Sequence, residues 1–201
     1  MNSYYTPEEL QALGLKGFGE NVFVSRKASL YGVEEIEIGS NVRIDDFCFL
    51  SGKIRLGNYI HISTHTSLIG GTYGIEMQDF SGFSSHCAAY AVSDDYSGGA
   101  LTNPMVPMEY RSLSGAKIEI GRHAIIGAGA ILLPGASIGE GAAIGSLSLV
   151  AKSVPDWSIS TGIPCRVMKE RSRKLLELEK AFLNRTNTQA SRTADPAISE
   201  S

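Results

Sequence analysis

The 201-residue sequence has little of what most functional classes need. Three cysteines, Cys48, Cys87 and Cys165, stand far apart with no CxxC pairing, so neither a disulfide framework nor a thiolate zinc site is predicted. Eighteen basic against 21 acidic side chains leave a formal charge of -3 with no block of like charge. That balance argues against nucleic acid and anionic membrane surfaces as partners and favours a small molecule. The segment 1–10 is polar and carries Glu8 and Glu9 where a leader would have a basic flank and an apolar run, so a cytoplasmic protein is expected. The apolar stretch 124–145 contains Pro134 and several glycines, and a periodicity other than that of a membrane helix explains it.

That periodicity is six. Ile120, Ile126, Leu132, Ile138, Ile144 and Val150 recur at intervals of six, and four residues after each stands Ala124, Ala130, Ala136, Ala142, Ser148 or Val154. Neither the helical period nor strict strand alternation fits. In an extended segment, residues two apart share a face, so the small residue and the aliphatic that follows it both point inward, and the chain then turns. Gly121, Gly127, Gly139 and Gly145 follow the aliphatics, at corners where a side chain would obstruct the bend or strain the backbone. Three sides of six make an 18-residue coil. The same pattern runs earlier through Ile38, Ile44, Leu50, Leu56, Ile62 and Leu68, with Val42, Cys48, Ile54, Ile60, Thr66 and Thr72 as inward partners. Cys48 and Cys87 fall at the small inward position and are expected to be buried thiols.

This pattern resembles the hexapeptide-repeat acyltransferases over about residues 20 to 170. The resemblance implies an all-β solenoid, a left-handed parallel β-helix of hexapeptide repeats with a short N-terminal helix, an extended arm loop and a C-terminal helix. The expected divisions are a helical lid over 1–19, the β-helix over 20–165 with its arm at 95–119, a C-terminal helix over 166–183 and a disordered tail over 184–201. Thr6, Pro7 and Glu9 form a capping box for the first helix. The arm, with Gly98, Gly99, Pro104, Pro107, Tyr96, Met105, Met108 and Tyr110, is long enough to be functional and is expected to pack on a substrate or a neighbouring subunit.

Stacking equivalent positions from coil to coil places His65 and His86 on adjacent coils about 5 Å apart. One place earlier, Thr64, Ser85, Ala128 and Ser146 form a lane of small side chains leading toward Lys152, Arg166 and Lys169. Galactoside and maltose acetyltransferases, which the chain resembles, contact acetyl-CoA through positions matching Ala128, Ser146, Lys152, Arg166 and Lys169. Small residues admit the pantetheine arm, and cations answer its phosphates. In those relatives a histidine takes the proton of the acceptor hydroxyl, and here the matching residue is Asp94, while His86 matches the residue beside the reacting sugar. His86 and Asp94 are thus the catalytic candidates, with His65, Ser85, Asp95 and Tyr96 as substrate-binding candidates. His61 and His123 are expected to face outward.

The arm sequence, Ser93 to Gly98 with Thr102, Asn103 and Pro104, resembles the enzymes of O-antigen and capsule gene sets that act on dTDP-linked amino-dideoxy sugars. The implied function is an acetyl-CoA-dependent acetyltransferase, without a metal, that N-acetylates a nucleotide-linked amino sugar and works as a homotrimer with its sites between subunits. An amine suits a site without a histidine base, because it carries its own lone pair. Two alternatives stay open. One is a sugar O-acetyltransferase using His86 as base. The other is a zinc enzyme resembling the γ-type carbonic anhydrases and recruiting His61, His65, His86 and His123, although that family's pair of histidines with four residues between them is missing.

Overall fold

A computed structural model describes residues 3–193, with side chains placed as far as residue 186. Residues 3–171 form a three-sided parallel β-helix. On one side Val24, Ile44, Ile62, Phe83, Ile126, Ile144 and Ser160 succeed one another as in-register partners, marking seven coils. Six of those seven side chains are aliphatic or aromatic, and all seven are buried.

The inward pairs read from the sequence form the core except at Thr72, which is exposed: the register shifts between Gly71 and Ile75, and Ile75 takes the inward place opposite Ile54. Ala124, Ala130, Ala136 and Ala142 alternate with Ile126, Leu132, Ile138 and Ile144, and all eight are at most 3% exposed. Cys48 and Cys87 occupy two of the small positions. Their S–H groups point to the Ser63 and Gly127 carbonyls, each at 3.2 Å, and burial pushes the Cys48 thiol up to about 11. Where a small position is polar its hydroxyl finds a carbonyl, as Thr66 does at Ser84 (3.0 Å) and Ser148 at Gly145 (2.6 Å).

Corner glycines answer to crowding between coils. A Cβ on Gly127 would lie 2.6 Å from the amide nitrogen of Ser146, and one on Gly121 would lie 2.7 Å from that of Glu140. Side chains at two of the corners adopt left-handed backbone and stack along the axis. At one, Tyr59, Phe80 and His123 stack with centroids 4.7 and 5.1 Å apart, and further along the ring of Trp157 lies over Gly141. His123 is therefore buried, not outward-facing, and desolvation together with Arg122 lowers its pKa. The corner directs its ring along the axis instead of away from it. His61 does face outward, with Nε2 2.7 Å from Asp45 Oδ2.

The capping box at Thr6 and Glu9 opens a helix at Pro7–Ala12 whose Leu10 joins the core. At the other end, the region expected to be helix over 166–183 begins instead as a strand, Arg166–Glu170, antiparallel to Ser158–Thr161. Helix follows only at Leu175–Thr193, in a second compact unit, so 184–193, expected to be disordered, is helical, and the remainder of that tail lies outside the described residues.

Because each coil touches only its neighbours, a core cavity is poorly shared. Leu132→Ala should lower the unfolding free energy by about 2–5 kcal/mol and Ala130→Leu by about 1–3 kcal/mol through overpacking, both read by denaturant titration. Unchanged midpoints would contradict the assigned interior.

Candidate active site

The arm interrupts a regular coil. Forty-three residues separate Phe83 from its partner Ile126, where 18 separate Ile44 from Ile62. The chain leaves through Val92–Ser93 and returns antiparallel through Ser114–Gly115, so the insertion stands on a two-stranded base. Asp95 organises its start: Oδ1 accepts from the Ser97 amide at 2.9 Å and Oδ2 from the Ala100 amide at 3.0 Å. Hydrogen bonding from Ser97, and then from the Ala100 and Gly99 amides, draws its pKa from 3.8 to about 2. Tyr96 projects from the arm, 94% exposed. Asp94 is met by Arg111, whose Nη2 approaches its Oδ1 at 3.2 Å.

Between the arm and the adjoining side of the helix lies a cleft of about 950 Å³. Its floor is apolar, with Tyr90, Ile131 and Leu149 on successive coils, and its wall carries Asp94, Asp95, Tyr96 and Asn103. Such a space takes a ligand with a flat or aliphatic body and presents it with carboxylate. A small neighbouring pocket of about 100 Å³ shares Leu149 and is lined by Lys152, Cys165 and Arg166, which brings two of the expected cofactor cations together at the end of the cleft. Lys169 pairs across the last two strands with Ile159.

The histidines stack as expected. Phe47, His65 and His86 follow one another at 4.9 and 4.8 Å, the last two rings only 4° from parallel. The small lane is also in place: His86 donates its amide to the Thr64 carbonyl, Gly129 to Ser85 and Leu147 to Ala128, at 3.1, 3.0 and 2.9 Å. Ser146 precedes Leu147 at the same exposed corner. This corner opens the side whose strand is Ala88–Tyr90, and Asp94 lies past the corner that closes it. His65, Ser85 and His86 are accordingly not among the residues lining the cleft that holds Asp94. The expected catalytic pair is not brought together within one chain.

Sequence reasoning missed Arg111, Tyr90, Ile131 and Leu149. The last three had a signal, since they are large apolar residues at outward positions. Arg111 had none, lying inside an arm without periodicity. Among the described residues no group of three or more His, Cys, Asp or Glu is placed to hold a metal ion, and no helix is long and apolar enough to cross a membrane.

A parallel β-helix of sixes, interrupted by one arm over an apolar cleft with cations at its end, defines a transferase of the hexapeptide class. The family model for bacterial transferase hexapeptides (six repeats) matches residues 117–152. The dTDP-4-amino-4,6-dideoxy-D-glucose acyltransferase of Escherichia coli is 44% identical over 183 residues, 90% of this chain and 95% of that protein. The crystal structure of AntD, an N-acyltransferase from Bacillus cereus, in complex with dTDP and 3-hydroxybutyryl-CoA superposes with a TM-score of 0.90 at 49% identity, covering 93% of this chain and 100% of that one. A mutant of AntD in complex with dTDP-4-amino-4,6-dideoxyglucose and coenzyme A is similar at a TM-score of 0.89 and 48% identity, covering 92% and 99%. The chain belongs to the hexapeptide-repeat transferase family, with its left-handed β-helix, and is an acyltransferase.

Asp95 gives the arm a dependence on pH. Its folded pKa is depressed, so its contribution is present above 3.8 and is lost as pH falls toward about 2. Asp95→Ala should speed hydrogen exchange at the Ser97 and Ala100 amides at neutral pH, and the difference from the parent should shrink across that window. Equal exchange at pH 7 would show that the carboxylate does not hold the turn.

Proposed function

We propose that this chain transfers an acyl group from acyl-CoA to the amine of a dTDP-linked 4-amino-4,6-dideoxy sugar, in the cytoplasm, for O-antigen or capsule assembly. The observation that carries the reading is Asp94, a carboxylate held by Arg111 in the cleft wall, at the place where the resemblance to hydroxyl-acylating enzymes would put a histidine. Support comes also from relatives of this chemistry, 44% to 49% identical over nine-tenths of the chain. The donor is written as acyl-CoA, wider than acetyl-CoA, because the AntD complex contains the 3-hydroxybutyryl thioester.

A sugar amine with a pKa of about 8, like an α-amino group, is partly neutral at cellular pH and needs no base to attack. Asp94 accepts a hydrogen bond from the amine and aims its lone pair at the thioester carbonyl carbon. The new C–N bond forms, the oxyanion is met by a backbone N–H, and the C–S bond breaks to release the CoA thiolate. The ammonium proton leaves to His86, directly or through water. Because His86 and Asp94 bound opposite edges of one side, this assignment requires His86 to come from a neighbouring copy, which the homotrimer implied by the family resemblance would supply. Lys152 and Arg166 answer the CoA phosphates.

Light scattering should give a trimer, and an active monomer would sink the two-subunit site. Lys152→Ala or Arg166→Ala should weaken acyl-CoA binding by the loss of a charge-assisted contact, about 1.5–3 kcal/mol, in a titration with CoA. Asp94→Asn should lower kcat about 100-fold through misplacement, while His86→Ala should keep activity that recovers partly at higher pH. If the purified enzyme instead acylates the 4-hydroxy sugar faster than the 4-amino sugar, and His86→Ala is inactive at every pH, the protein is an O-acyltransferase with a histidine base.

A further inference from the structure

Arg111 lies within the arm, 17 residues beyond Asp94, and its side chain is only 11% exposed. Burying a guanidinium is costly unless its donors are met. Here Nη2 meets Asp94 Oδ1 at 3.2 Å, Nη1 reaches only the thioether of Met108 at 3.7 Å, and Nε is buried with no partner among the described residues. The backbone around it is fixed by the Leu101–Arg111 bridge and by the Arg111 amide bonding to the Met108 carbonyl at 3.1 Å. A largely desolvated cation thus has one carboxylate as its strong acceptor, and that carboxylate is the one at the cleft.

We propose that Arg111 is a positioning residue for the acyl transfer: through its ion pair it fixes the direction in which Asp94 faces the acceptor, and ties that direction to the seating of the arm. The inference rests on the reading of Asp94 given above. Arginine suits the task because its guanidinium stays charged when buried and its planar N–H groups point in fixed directions, so that Nη2 meets one oxygen of Asp94 along a set line, which the rotating ammonium of lysine does not do. Nothing requires Arg111 to touch the donor.

The test is a double-mutant cycle on the full chain, with acyl-CoA and the dTDP-4-amino sugar as substrates and melting temperature checked for each variant. Arg111→Gln should lower kcat about 100-fold, as expected for a displaced reacting group, with the acyl-CoA KM within about twofold of the parent. Added to Asp94→Asn it should cost no more than about threefold further, because both act through one carboxylate. Arg111→Lys, which keeps the charge, should fold like the parent and show a kcat between those of the parent and Arg111→Gln. A slow Asp94→Asn beside a fully active Arg111→Gln would overturn the proposal and leave the reading of Asp94 standing. Losses that multiply in the double variant would overturn it as well, by making Arg111 act elsewhere. Should Asp94→Asn itself keep parental turnover, the reading of Asp94 falls and Arg111 with it.

Discussion

The structure depends on how little the inside of a three-sided coil can hold. Each side offers room for two inward side chains, the first as large as Ile54 or Ile60 in the earlier coils and alanine through most of the later ones, and the next coil repeats the demand at the same place. Ala130 with Leu132 and Ala142 with Ile144 meet it, and all four are at most 3% exposed. Cysteine is admitted on the same terms at Cys48 and Cys87, as a small residue whose thiol is satisfied by a carbonyl, and burial raises the pKa of both. Crowding between coils extends the demand to the corners, where Gly121 and Gly127 face the backbone of the next turn.

A scaffold so constrained has to place its variable chemistry outside. The arm does so while leaving the coils in register: Ile118 still pairs with Ile75 and Ile126 with Phe83. Closing the excursion with the pair Val92–Ser93 and Ser114–Gly115 brings its ends together, and loop-closure entropy grows only slowly with length. Within the arm two adjacent aspartates divide the work. Asp95 spends both oxygens on the arm's own amides, and Asp94 faces Arg111 and the cleft.

The core was legible because one spacing, six, dictates which residues are buried, and the stacking of His65 on His86 followed from the same count. The count failed at His123 because it distinguishes inward from outward and is silent about corners, where a left-handed residue can lay its ring along the axis between aromatic neighbours. The strand Arg166–Glu170 was hidden by its composition, since all five residues are exposed and none supplies an inward partner. Arg111 escaped because an arm has no period, and its pairing with Asp94 exists only once the hairpin base has closed. The separation of His86 from Asp94 by one side of the triangle required knowing which corner each occupies.

The antiparallel turn of the last strand has a consequence for how the molecule behaves at high concentration. A stack of parallel coils ends in an unsatisfied sheet edge, and such an edge invites another chain to continue it into a fibre. Here the final strand reverses direction and presents Arg166, Lys169 and Glu170 along a fully exposed edge, with a register shift between Ile159 and Ser160 behind it. On this side of the helix a second solenoid arriving in the parallel sense would meet the wrong hydrogen-bond pattern and a row of charges, which works against end-to-end growth.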